Sequence, residues 1–161
     1  MNVFDCAIKI EEEAKRYYER LGSESSQPEM KHLFTMLAAS EAELQENLIK
    51  LRESLAPEQA QLDDLDARTC SFRPFLTERE LLEEAKDDPD LYKFSMREEE
   101  QEIRFYEELA ARTSDPATRS CLLMLAEEER RHLNVVEHIY DFVEAPRSFL
   151  AWGEFSNLRE L

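Results

Sequence analysis

The chain has 161 residues, 42% of them hydrophobic, and 37 acidic side chains against 20 Lys and Arg give a formal net charge of −17. So acidic a field, with no basic cluster in it, argues against a nucleic-acid backbone as partner. Two glycines and six prolines suit long helices better than a sheet protein with many turns, and the length predicts one all-α domain over residues 1–161 with a real core.

No apolar run is long enough to span a membrane, and no signal peptide is recognisable. Cys6, Cys70 and Cys121 are odd in number, far apart and without a Cys-x-x-Cys pair, so neither a disulfide framework nor a zinc knuckle is expected. Cys121 reads as a small core residue. A reducing, cytoplasmic location is the expectation.

Taken in order, the first helix is predicted over about residues 3–22, with a face of Phe4, Ala7, Glu11, Ala14, Tyr18 and Leu21. Glu11 interrupts an otherwise largely apolar face. Gly22, Ser23, Ser25 and Ser26 mark a stop, and Pro28 suits the first turn of a second helix, 28–55. Its stripe runs Met30, Phe34, Leu37, Glu41, Leu44, Leu48, Leu51, Leu55, again with one Glu in the middle. Pro57 closes it.

Residues 59–74 show no sustained period, and Thr77-Glu-Arg-Glu80 is a capping-box signature for a short crossover helix over about 78–87. Asp88-Pro89 then starts a third helix to about 113, whose face reads Tyr92, Ser95, Glu99, Glu102, Tyr106, Leu109, Thr113. Asp115-Pro116 repeats that start signal. The fourth helix, 116–143, carries Leu122, Leu125, Glu129, His132, Val136, Ile139 and Val143 on one face, and Pro146 is expected to end it. The tail, 146–161, spaces Phe149, Trp152 and Phe155 by three, which fits rings packed on the bundle or across the contact of a homodimer.

Glu129 and His132 are the centre of the argument, because they stand where apolar residues belong. An unpaired buried carboxylate is costly enough that it must be protonated, paired or bound to a metal. Glu-x-x-His is also the spacing that turns a carboxylate and an imidazole toward one metal from one helical turn. His32 and His138 fall off this level and read as surface or helix-end residues.

A shift of 88 residues lays Glu11 on Glu99, Tyr18 on Tyr106, Pro28 on Pro116, Met36-Leu-Ala38 on Met124-Leu-Ala126 and Glu41 on Glu129 without a gap. The chain is therefore a duplicated helix hairpin. Two hairpins joined by a long crossover make a ferritin-like four-helix bundle, with four carboxylates converging at one level. Like charges about 4 Å apart repel by roughly 4 kcal/mol at an effective dielectric near 20. Cations resolve that conflict, and a two-metal site is expected.

With Glu11 and Tyr18, Leu37-Ala-x-x-Glu41, Glu99 and Tyr106, Leu125-Ala-Glu-Glu-Glu129-Arg-Arg-His132, and the closing Asp141-Phe-Val…Pro146…Ala151-Trp-Gly-Glu-Phe155, the sequence resembles the rubrerythrin-like branch of the ferritin-like di-iron carboxylate family. The resemblance implies Glu11 and Glu99 as terminal ligands, Glu41 and Glu129 as bridges between two iron ions, and His132 as the cap on one of them. It also implies a non-haem di-iron peroxidase or oxidoreductase acting on hydrogen peroxide or dioxygen. On ligand chemistry alone, manganese or a mixed pair suits the same donor set. Tyr18 and Tyr106 lie beyond the terminal ligands on their helices and could hydrogen-bond them.

Two departures shape the expectation. Leu44 stands where the family has a His three residues after Glu41, and by the resemblance Glu102, three residues beyond Glu99, supplies the missing ligand. The repeat agrees, since the counterpart of Glu102 is Ala14. The Cys-x-x-Cys pairs of a rubredoxin domain are absent, so electrons are expected from a separate protein such as a rubredoxin. The alternative, from another class, is an iron-binding or iron-sensing protein without turnover, with one tight and one labile site.

Overall fold

The computed structural model describes residues 1–26, 28–74, 79 and 90–159, with side chains described as far as residue 138 and, in the last span, from residue 93. Its four long helices are α1 (Val3–Glu24), α2 (Pro28–Ser54), α3 (Asp90–Arg112) and α4 (Pro116–Arg159). The described residues form no strand beyond an isolated bridge between Asn2 and Gln61. The expected crossover helix and the Asp88-Pro89 start lie outside the described residues.

Each hairpin follows from its short connection: α1 packs on α2 and α3 on α4, three residues being too few for any course but a reversal. Local chemistry fixes the helix ends. Asn2 caps α1 by accepting the Phe4 N–H at 2.8 Å. Asp115 caps α4 by accepting the Thr118 N–H at 2.9 Å, and those bonds hold its carboxyl below the usual range. Arg119 on α4 donates to the Thr113 carbonyl at 2.8 Å, tying the end of α3 to the start of its partner.

The core is two apolar clusters. One gathers Phe4, Ala7, Ile10, Leu44, Leu48, Tyr106, Leu109, Leu122 and Leu125; the other gathers Ala14, Tyr18, Leu21, Phe34, Leu37, Phe94 and Val136. In all four helices the interrupting Glu falls between residues of one cluster and residues of the other. The apolar stripes thus build a floor and a roof, and the carboxylates form the layer between.

Two expectations are corrected. Cys6 and Cys70 form a disulfide with a Cα–Cα distance of 5.0 Å, leaving Cys121 as the free thiol. Separation of 64 residues along the chain does not keep them apart in space, because the unpatterned crossover folds back on α1. Ala60, Leu65 and Cys70 enter the first cluster, and Met1 exchanges backbone hydrogen bonds with Leu62 at 3.0 and 3.1 Å. The bond also removes the ground on which a reducing compartment was expected.

The second correction is that α4 does not stop at Pro146 but runs to Arg159. A proline deletes one helical hydrogen bond and leaves those of the flanking residues in place. Gly22 and three serines act together at the end of α1, whereas Pro146 acts alone.

Candidate metal centre

Glu11, Glu41, Glu99 and Glu129 are each 1% exposed and Glu102 is 7% exposed. Glu11 and Glu41 are held there by their helices, since Ala7 and Ala14, and Leu37 and Leu44, one turn before and after, are buried; Glu99 and Glu102 share the buried side of α3 with Ser95 and Tyr106, and Glu129 follows buried Leu125 on α4. One carboxylate oxygen each from Glu41, Glu99, Glu102 and Glu129 lies within 4.8 Å of the other three, and Glu99, Glu129 and His132 form a second such group. Glu129 and Glu99 belong to both.

Glu11 stands beside these groups and is held from across the bundle. Tyr106 donates its hydroxyl to Glu11 Oε1 at 2.6 Å, so its partner is the carboxylate of the other hairpin. Glu99, on its own helix, is two turns or about 10 Å back along the axis. Tyr18 is buried, and its phenol is driven up by that burial and by the nearby charges of Glu102 and Glu98. His132 is partly buried, with Nδ1 3.4 Å from Glu129 Oε1. His32 and His138 are exposed, as their register implied. Leu44 is fully packed in the first cluster.

The electrostatics are those of negative groups crowded out of water. Burial raises Glu41, Glu99 and Glu102 well above the carboxylate range, and their mutual repulsion adds to it. Burial also lifts Glu11, to about 7, against the opposing contact with Glu41. Glu129 behaves oppositely: burial pushes it up, but contacts with His132, Glu102 and Glu99 outweigh this and hold it at about 2. His132 is raised in turn by Glu129. Without a cation, one carboxylate stays ionised opposite an imidazolium and its neighbours hold protons.

That arrangement leaves donors and acceptors badly matched. Glu11 Oε2, Glu41 Oε2, Glu102 Oε2 and both oxygens of Glu99 and of Glu129 are buried with no hydrogen-bond partner. Buried polar atoms are otherwise almost always paired, and a set of orphaned carboxylate oxygens beside an imidazole is the donor set of a hard or borderline divalent cation. The residues fit a metal.

Two features escaped the sequence. Glu98, 2% exposed, falls off the stripe through Glu99, and its only signal is the four-residue spacing to Glu102. The crossover contributes Phe72, whose ring lies 5.4 Å from that of Tyr17 and 6.3 Å from that of Tyr18. Its N–H donates to Glu13 Oε2 at 2.8 Å. A segment without period gave no warning of this.

The family model described as Rubrerythrin matches residues 2–140, and so takes in all six candidate ligands. No curated protein and no solved structure matches the chain.

Proposed function

The chain belongs to the rubrerythrin family of ferritin-like di-iron carboxylate domains, and on that premise we propose that it is a non-haem oxidoreductase that reduces hydrogen peroxide or dioxygen. The observation that carries the reading is the layer of orphaned carboxylate oxygens beside one imidazole. Glu99, Glu129 and His132 would hold one iron, with Glu41 shared. Glu11 and Glu102 would hold the other beside Glu41 and Glu129. Two ferrous ions, when bound, supply one electron each to the O–O bond of the oxidant.

Within this reading the remaining residues act on the ligands. Tyr106 fixes Glu11 by occupying Oε1, which leaves Oε2 to hold an ion when one is bound and keeps a phenolic proton at hand. Glu102 fills the role left vacant by Leu44, whose side chain offers no donor. The two apolar clusters flank the layer, so charge interactions there are stronger than in water. Iron is favoured over manganese by the family, and a redox protein such as a rubredoxin would supply the electrons.

Loading the metal-free protein anaerobically with ferrous iron and adding hydrogen peroxide tests this. The expected result is two irons per chain and rapid peroxide consumption. One iron and no consumption would replace the reading with iron binding or sensing.

A further inference from the structure

The cavity that reaches the carboxylate layer is larger than hydrogen peroxide or dioxygen needs. It has a volume of about 360 Å³, lies between α1, the crossover and α3, and has Glu11 and Glu102 in its lining. The Oε2 atoms of both are buried without hydrogen-bond partners. A water molecule's share of liquid volume is about 30 Å³, and hydrogen peroxide and dioxygen are only a little larger. The cavity thus falls in the range of sites that hold organic molecules, roughly 300 to 1,000 Å³. The other cavity, about 510 Å³ between α1 and α2, is lined by Ala38, Ala39 and Ala42 among others and includes none of the candidate ligands.

Its walls suit a neutral guest with a hydrocarbon body. Ile10, Phe72 and Phe105 line it together with the two carboxyl groups; Ile10 is buried and both rings are half-buried. Ile10 and Glu11 are consecutive on α1, and Phe105 lies three residues beyond Glu102 on α3, so apolar surface stands next to each carboxyl group. Thr69 and Gln101, also in the lining, are exposed and mark the mouth. The exposed charged side chains of the lining, Arg73, Arg104 and Glu108, are of both signs, so an ion of neither sign is selected. Apolar wall stabilises a guest in proportion to the carbon surface that the guest can bury there, and neither hydrogen peroxide nor dioxygen carries any.

We propose that the protein also reduces organic hydroperoxides, bound in this cavity with the O–O group at Glu11 and Glu102 and the carbon skeleton against Ile10, Phe72 and Phe105. The inference rests on the proposed function and names a substrate class for the same centre. The reaction is ROOH + 2 e⁻ + 2 H⁺ → ROH + H₂O: the O–O bond breaks, one oxygen leaves as water and the other stays on carbon as the alcohol. The two electrons come from the two ferrous ions, which become ferric, and the protons are taken up from water. The chain's own part is to bind and orient the carbon skeleton, so its effect falls on kcat/KM for the substituted peroxide.

Anaerobic stopped-flow oxidation of the ferrous-loaded protein, by cumene hydroperoxide and by hydrogen peroxide, tests this. Both should oxidise the wild type, and cumene hydroperoxide should be converted to 2-phenyl-2-propanol. Gln101→Trp, which fills the mouth from an exposed position, should lower the rate constant for cumene hydroperoxide roughly tenfold and leave that for hydrogen peroxide within about twofold. Ala39→Trp, in the other cavity, should change neither. Binding is read separately on metal-free protein: 2-phenyl-2-propanol should shift the amide resonances of Ile10 and Phe105 in the wild type and not in Gln101→Trp. Should Gln101→Trp fail to fold, Thr69→Trp narrows the mouth from the crossover and decides in its place. Loss of both rates together, or of neither, overturns the proposal, as does an alcohol that shifts no residue of the cavity. Wild type oxidised by hydrogen peroxide alone overturns this inference and leaves the proposed function standing. Wild type oxidised by neither peroxide is the failure of that function itself and brings this inference down with it.

Discussion

In the proposed centre Glu102 takes the place of the imidazole that Leu44 cannot supply. Five carboxylates against the four positive charges of two ferrous ions leave about −1, where four carboxylates and two imidazoles would leave zero, and extra negative charge favours the ferric state. Leu44→His should therefore raise the reduction potential if the ring displaces Glu102. Glu102→Gln should weaken one ion by roughly tenfold or more and spare the other in a metal titration; retention of both ions at unchanged affinity would remove Glu102 from the ligand set. The same residues set an unusual pH response. Glu11 is raised to about 7, and Glu41, Glu99 and Glu102 are raised as well, so the native metal-free protein holds protons that the unfolded chain releases. Stability from such groups is full below their unfolded values and is lost as pH rises through the folded ones. His132, also raised, has the same sign. Glu129, lowered to about 2, contributes above its unfolded value and loses that only in strong acid. The melting temperature of the metal-free protein should thus fall between roughly pH 5 and pH 8, while acid should release metal from the loaded form and reverse the slope. A rising or flat metal-free curve would contradict the buried protonated layer.

At the scale of elements, the crossover does more than connect the hairpins. The Cys6–Cys70 bond, the Phe72 N–H on Glu13 and Lys9 near the Ala67 carbonyl at 3.5 Å lay it along α1, where Thr69, Ser71 and Phe72 become one wall of the cavity over Glu11. Closing a loop of 64 residues stabilises by about 4 kcal/mol in the chain-entropy account. Cys70→Ser should therefore lower unfolding free energy by about that amount in denaturant titration under oxidising conditions, and the difference from wild type should vanish under strong reductant. The helices were legible because their burial repeats every three or four residues, and an ionisable residue inside such a stripe announces itself, as Glu41 does between Leu37 and Leu44. The crossover was not legible: Ala60, Leu65 and Cys70 are buried by long-range folding that leaves no period. Glu98, 2% exposed, hid because it lies beside the stripe. Pro146 misled because its local cost is real but smaller than the cohesion of the helix around it.

The described core is two apolar clusters separated by a carboxylate layer, an arrangement that is unfavourable without cations and stabilised by them. No helix among the described residues is long and apolar enough to cross a membrane, and the burial in the helices serves this layer. Metal binding is accordingly coupled to folding. Free metal at a hundred times its Kd should raise the melting temperature by roughly 5 to 10 °C, and chelator should reverse the gain; a melt indifferent to both would leave the layer without a stabilising ion. The most direct test of the central claim is anomalous scattering from crystals of iron-loaded protein, recorded on both sides of the iron edge. Two iron peaks among Glu11, Glu41, Glu99, Glu102, Glu129 and His132, with Glu102 as a ligand, are the predicted result. No peak in the layer, or iron only at surface carboxylates with the six side chains apart, would contradict it.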